Sequence, residues 1–323
     1  KFIGRVYKLP KAGNTENEYE DAYAFSLPHG DHHPDDTSRC GDTLRAAIAD
    51  GATESILAKS WAQYLVQEYV REPFSTVCEL QQRRISEIWH TQERNAIGQK
   101  PAHLHWCLQE GLVHGADATF LGVSILPYEG RWKYVAIAVG DCNLFHIRGQ
   151  MLLKAFPLEK AEDFNFTPFL LNSRKIDEQK PNHPLGPSSP TFQSSEAECQ
   201  EGDELWLMTD ALACWFLRRA AESSEAEAIQ QVRKIQDEHN HHAFEKMIEE
   251  ERKHRRLRND DVTWMIIQLL TDSTQDVFST QNIQNIHHFG SLNAQNRLTP
   301  ENRYATELLE NQLVAAALEQ VDT

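Results

Sequence analysis

Acidic residues stand where apolar runs begin or stop. Glu20 and Asp21 precede the alternation of residues 22–27, and Asp50-Gly51 closes the apolar run 44–49. Asp141 follows Gly140, Asp210 follows Met208-Thr209, and Asp260-Asp261 precede Val262. Strand ends and the turns beside them are where a rigid sheet presents functional groups. Carboxylates gathered at one such end repel one another, and divalent cations relieve the repulsion. An all-oxygen donor set suits Mg²⁺ or Mn²⁺ better than zinc, which prefers Cys and His. One Asp after a strand is ordinarily a turn or capping residue, so the signal lies in the joint pattern.

The elements that must position these groups are short. Alternation over 22–27 reads as a strand, and so do residues 44–49, 118–126, 133–139, 142–147, 151–156, 203–208 and 262–270. The breaks at 127–130, 140–141 and 148–150 are tight, which argues antiparallel pairing. Leu57, Trp61, Leu65 and Tyr69 fall four apart and give residues 53–70 one apolar helical stripe. Residues 75–90 are expected to be helical, 92–115 irregular and 222–256 helical in composition. Strands in clusters and helices in separate runs make an α+β fold, antiparallel sheets covered by helices, and not alternating βαβ units. Residues 157–190, rich in Pro, read as a surface excursion. Residues 272–298 are rich in Gln, Asn, Ser and Thr and read as a polar linker. Thr299-Pro300 supplies a cap and a first-turn Pro for a C-terminal helix over 299–323, striped by Leu309, Leu313 and Ala316.

Composition narrows the function classes. The chain has 323 residues, 40% hydrophobic and 25% charged, enough for one large domain or two small ones, either with a substantial core. Its net charge of −16 argues against a nucleic acid as partner, because phosphate backbones reward clustered Lys and Arg. No apolar run approaches the roughly 18 residues of a membrane span. The six cysteines are scattered without a CxxC pair, which excludes metal fingers and fits a reducing, cytoplasmic location. None stands in a Cys-x5-Arg frame, so a cysteine phosphatase is excluded too.

Six stretches, in order, carry a resemblance. They are Glu20-Asp-Ala-Tyr23, Ala49-Asp-Gly-Ala52, Gly115-Ala-Asp-Ala-Thr-Phe120, Val139-Gly-Asp-Cys142, Leu207-Met-Thr-Asp-Ala-Leu212 and Asn259-Asp-Asp-Val-Thr263. Together they resemble the metal-dependent protein phosphatases of type 2C, as a divergent, bacterial-like member, over residues 19–270. The resemblance implies a four-layer αββα sandwich, with a catalytic domain over 1–271 and a flap at 157–190. It implies two Mn²⁺ or Mg²⁺ ions, with a third at a weaker site. Asp50 would bridge two of them and the Gly51 carbonyl would contact one. Asp210 and Asp261 would complete the first site, and Glu20 and Asp21 would serve the second, with Asp21 the firmer of the two. Asp141 would pair with Asp210 at the third, and Asp260 would be a neighbouring or turn residue. The implied reaction is hydrolysis of phosphoserine and phosphothreonine in a protein substrate, by in-line attack of a metal-bridging hydroxide.

The chain departs from the family in places. Thr209-Asp210-Ala211 stands where Ser-Asp-Gly is usual, and Cys142-Asn143 where Ser-Arg often follows Gly-Asp. No Arg stands just before Glu20 to bind phosphate; Arg5, Lys8 and Lys11 are the substitutes at hand. Other polar groups have plainer readings: His29, His32 and His33 a solvated loop, His239, His241 and His242 a polar helix face. The basic run 252–258 reads as helix-end charge, with steering of a phosphoprotein as its functional alternative. Two further function classes stand beside the phosphatase. One is a weak or inactive relative used for binding or regulation, which the missing Arg favours. The other is a metal nuclease, which the −16 charge opposes.

Overall fold

Period-two alternation becomes two five-stranded sheets. The computed structural model describes residues 2–26, 43–53, 55–76, 79–80, 83–164, 168–174, 192–237 and 241–270. The first sheet has the spatial order β1 (Phe2–Leu9), β12 (Val262–Leu269), β11 (Asp203–Met208), β7 (Asn143–Arg148) and β8 (Met151–Phe156). The second runs β10 (Gln193–Cys199), β6 (Arg131–Val139), β5 (Phe120–Tyr128), β3 (Leu44–Ala49) and β2 (Ala22–Ser26). Every pairing in both is antiparallel. β4 (Asp117–Ala118) and β9 (Leu171–Asn172) pair separately.

Three apolar layers join four structural ones, which is the αββα sandwich the resemblance implies. Between the sheets, Ala46, Ile48, Leu121 and Val123 meet Leu144, Leu205, Leu207 and Met265. Outside the second sheet lie α1 (Ala58–Arg71), α2 (Ile85–Ile97) and α3 (His105–His114). Trp61, Leu65, Tyr69 and Trp89 from these helices cover Ala47, Ala49, Phe120 and Val139. Outside the first sheet lie α4 (Asp210–Glu222), α5 (Glu225–Asp237) and α6 (His241–Lys253), whose Trp215, Phe216, Ile229 and Phe244 cover Phe145, Trp206 and Trp264. Each fully buried large apolar side chain contributes about 1.5–3 kcal/mol. β3 is apolar on both faces because both are covered, and its small Ala47 and Ala49 let α1 close in. At Gly122 a Cβ would fall 2.6 Å from the Tyr69 ring, so the same helix demands a glycine there.

Several elements differ from the sequence-based expectation. β1 and β10 are not among the strands that alternation predicts. β10 reads QSSEAEC, an edge strand whose partner β6 fixes it through backbone register more than through side chains. Residues 92–115, expected irregular, contain the end of α2 and all of α3. The helix α4 directly follows β11, so Asp210 opens a helix. Residues 272–298 and 299–323, the loop carrying His29, His32 and His33, most of the 157–190 excursion and His239 lie outside the described residues. Among those described, no helix is long and apolar enough to cross a membrane.

Candidate functional site

All the acidic positions singled out by spacing lie at one end of the sandwich. That end gathers the C-termini of β1, β3, β6 and β11 and the N-termini of β2, β5, β7 and β12. Asp50 leaves β3 with its backbone clamped by Thr119: the Thr119 amide donates to the Asp50 carbonyl at 2.9 Å, and the Asp50 amide to Thr119 Oγ1 at 3.3 Å. Gly51 follows as a bridge to Ala118. A Cβ on Gly51 would fall 3.0 Å from both the Glu20 carbonyl oxygen and the Ala58 carbonyl carbon, a tight fit against backbone that favours glycine. Gly140 turns at φ +92°, a conformation that favours glycine, and delivers the buried Asp141.

Asp21 is held from the other sheet. Its Oδ2 accepts from Thr209 Oγ1 at 3.0 Å and from Thr263 Oγ1 at 2.7 Å. Thr209 Oγ1 in turn accepts the Thr263 amide at 2.9 Å, and the buried Tyr19 hydroxyl bonds Thr263 Oγ1. Because Thr263 donates to Asp21, Tyr19 must donate to Thr263. This buried network joins residues at the ends of β2, β11 and β12 and leaves one oxygen of Asp21 free to face the cluster. The sequence pattern contains Tyr19, Thr119, Thr209 and Thr263 without assigning them a role; three of them sit inside the quoted motifs.

The electrostatics show which carboxyls meet. Burial, and then the charges of Asp21, Asp210, Asp260 and Asp141, push the Asp50 carboxyl well above the usual carboxylate range. Asp21 is raised by burial and by Asp261 and Asp210, against the pull of the Thr263 and Thr209 hydroxyls. Asp141 is pushed up to about 7, first by burial and next by Asp210. Asp210, at the first turn of α4, is raised by burial while Arg258 opposes the rise. Such shifts mark charges held together without compensation.

Two positions make contacts that the motifs do not indicate. Asp261 is buried, but Oδ1 accepts the Lys11 amide and Oδ2 the Glu20 amide, each at 2.7 Å, so both its oxygens are engaged by backbone. Asp260, set aside by the motif reading, is the neighbour whose charge acts on Asp50, Asp141 and Asp210. Arg258 donates to Asp210 and lies 2.8 Å from Asp260. Glu20 accepts from Thr53 Oγ1 at 2.8 Å and has Lys11 Nζ at 3.7 Å. Of the three substitutes for the missing Arg, Lys11 is therefore the one against the cluster. Lys8 pairs with Glu16 at 2.7 Å, and Arg5 lies three pairs further along β1, opposite Ile266.

The residues present fit divalent cations. Asp21 Oδ1 and Asp141 Oδ1 are buried with no hydrogen-bond partner, a costly arrangement unless a cation completes it. The donors are all oxygens. A separate group, His146, Cys199 and Asp203, also has ligand-type atoms close together. It lies at the opposite end of β11, where Arg148 takes both oxygens of Asp203 at 2.8 and 2.9 Å and His146 bonds it at 2.8 Å, so it serves as a buried ion-pair network.

No family model and no curated protein matches the chain. Among solved structures it is similar to the photosystem II phosphatase PBCP, at 15% identity over 83% of this chain and 99% of that one, with a TM-score of 0.41. It is similar to the S. agalactiae serine/threonine phosphatase, at 14% identity over 83% of this chain and 100% of that one, with a TM-score of 0.41. It is also similar to RsbX in complex with magnesium, at 17% identity over 83% of this chain and 95% of that one, with a TM-score of 0.40.

Proposed function

We propose that this chain is a type 2C-like phosphatase that hydrolyses phosphoserine and phosphothreonine in proteins with the help of Mn²⁺ or Mg²⁺. The observation that carries the reading is the convergence of Asp21, Asp50, Asp141, Asp210 and Asp260 at one end of the sandwich, with two buried carboxylate oxygens lacking a partner. Asp50, Asp210 and Asp260 would hold the first ion and Asp50, Asp21, Glu20 and the Gly51 carbonyl the second, with Asp141 serving a third with Asp210. Asp260 thus takes the place expected of Asp261, whose bonds to Lys11 and Glu20 tie the N-terminal segment to β12. A divalent pair lowers the pKa of bound water toward neutrality and neutralises charge on phosphoryl oxygens.

The chain's own residues supply the rest. Thr119 fixes the Asp50 backbone, and the Tyr19–Thr263–Thr209 network orients Asp21. Lys11 and Arg258 are the cations beside the cluster and would be the ones to meet a phosphoryl group. A second reading, a weak or inactive relative with a binding role, draws on one observation: Arg258 already neutralises Asp210 and Asp260. The deciding experiment is hydrolysis of p-nitrophenyl phosphate and of a phosphothreonine peptide, with Mn²⁺, with Mg²⁺ and with EDTA. Metal-stimulated release of phosphate supports the enzyme. No turnover in the presence of measurable Mn²⁺ binding supports the binding role.

A further inference from the structure

A recess of about 500 Å³ opens beside the acidic cluster, and Asp210 lies in its wall. Five arginines, Arg218, Arg252, Arg255, Arg256 and Arg258, dominate the rest of its polar lining. Phe164 and Ala161 add an apolar side. On a chain of net charge −16 this is a local reversal of sign, and a cleft whose charges are mostly of one sign focuses the field on incoming ligands. Charge at the end of α6 accounts for the run 252–258 alone. It does not account for Arg218, which comes from α4 and turns to the same recess.

Three of the five arginines are committed. Arg256 pairs with Glu251 through two bonds of 2.7 and 2.8 Å. Arg252 donates to the carbonyls of Pro10 and Asp260, and Arg258 to Asp210. The other two are not. Among the described residues Arg218 reaches only neutral atoms, the Arg256 carbonyl at 3.4 Å and Cys214 Sγ at 3.5 Å. Arg255, at φ +57° just past α6, has no carboxylate partner among the described residues. Both side chains are exposed.

Resting on the phosphatase reading, we infer that this recess receives an acidic side chain of the phosphoprotein substrate, with Arg218 and Arg255 as its contacts. Spacing sets the register. Asp210, Cys214 and Arg218 stand four apart on one face of α4, so Arg218 lies about 12 Å along the helix from Asp210. An extended substrate covers that in three or four residues at about 3.3 Å each. The preference therefore falls on Glu or Asp three or four positions from the phosphoresidue, and not next to it.

The test uses fluorescein-labelled phosphothreonine peptides carrying Glu at positions three and four on either side, against peptides with Gln there. Binding is read by anisotropy in EDTA, so it does not depend on turnover. The wild type should bind the Glu peptide on its favoured side about tenfold tighter than its Gln counterpart, with the gap closing as salt rises. Arg218→Gln/Arg255→Gln should reduce the gap to under twofold and leave p-nitrophenyl phosphate turnover with Mn²⁺ unchanged. Arg218→Lys/Arg255→Lys should keep most of it. Equal binding of Glu and Gln peptides by the wild type overturns the inference, and so does a gap that survives the double Gln variant. A wild type that shows the gap but hydrolyses no phosphate ester keeps the recess and removes the phosphatase reading.

Discussion

Arg258 spans two of the site carboxylates, donating to Asp210 while lying 2.8 Å from Asp260. A divalent ion bound by Asp210 and Asp260 must displace that guanidinium or share the pair with it. Arg258→Gln should therefore tighten Mn²⁺ binding, by about three- to tenfold given that the arginine is partly exposed and its ion pairs are screened. The metal-free melting temperature should fall, since the carboxylates lose a counter-charge. Calorimetric titration with Mn²⁺ checks this; weaker binding in the variant would make Arg258 a supporter of the site instead of a competitor for it.

Asp260 and Asp261 are adjacent but are expected to fail differently. Asp260→Asn removes a charge from the cluster and should weaken Mn²⁺ binding at least about tenfold, with little change in metal-free stability. Asp261→Asn replaces one of two acceptors that hold the Lys11 and Glu20 amides. It should cost about 1–3 kcal/mol of stability and change Mn²⁺ affinity much less. Paired denaturant melts and Mn²⁺ titrations separate the two, and the reverse pattern would restore Asp261 as the ligand.

Asp50→Asn keeps the shape of the side chain and removes its charge. Without metal the cluster repels less, so the variant should melt at least as high as wild type. It should gain less stability from Mn²⁺ and lose at least about 10²-fold in turnover, the scale of one preorganised electrostatic contact. Near-normal turnover would refute a role for Asp50 as the shared ligand.

Stability should depend on pH in two separate windows. Asp141 is raised to about 7, chiefly by burial. Its contribution therefore favours the fold at and below the ordinary carboxylate range near 4 and is lost as pH rises to about 7. The metal-free protein should melt lower at pH 8 than at pH 5, and Mn²⁺ or Asp141→Asn should shrink that difference. Asp203 goes the other way: burial would raise it, but Arg148 and His146 outweigh burial and hold it well below the usual range. Its contribution is present above about pH 4 and lost below, so Asp203→Asn should flatten the acid limb alone. A melting curve for Asp141→Asn with the wild-type alkaline slope would place that slope elsewhere.

Local spacing alone makes most of the period-two strands legible, along with the stripe Leu57–Trp61–Leu65–Tyr69 and the acidic residues at strand ends. The sequence also contained the turn glycines Gly51 and Gly140, whose need is visible as Asp-Gly and Gly-Asp pairs. Tertiary structure decided what spacing cannot carry. β10 has a polar sequence and forms because β6 offers an edge, and α3 forms where Gly98, Pro101 and Gly111 suggest irregular chain. The contrast between the surroundings of Asp260 and Asp261 is the sharpest case. Neighbours in sequence, they are distinguished by which one meets the amides of Lys11 and Glu20, about 250 and 241 residues away in sequence. Likewise the basic run 252–258 is helix-end charge until Arg218 joins it from α4. Hydrogen-bond partners and charge neighbours are set by strand order and helix packing, and those are properties of the folded whole.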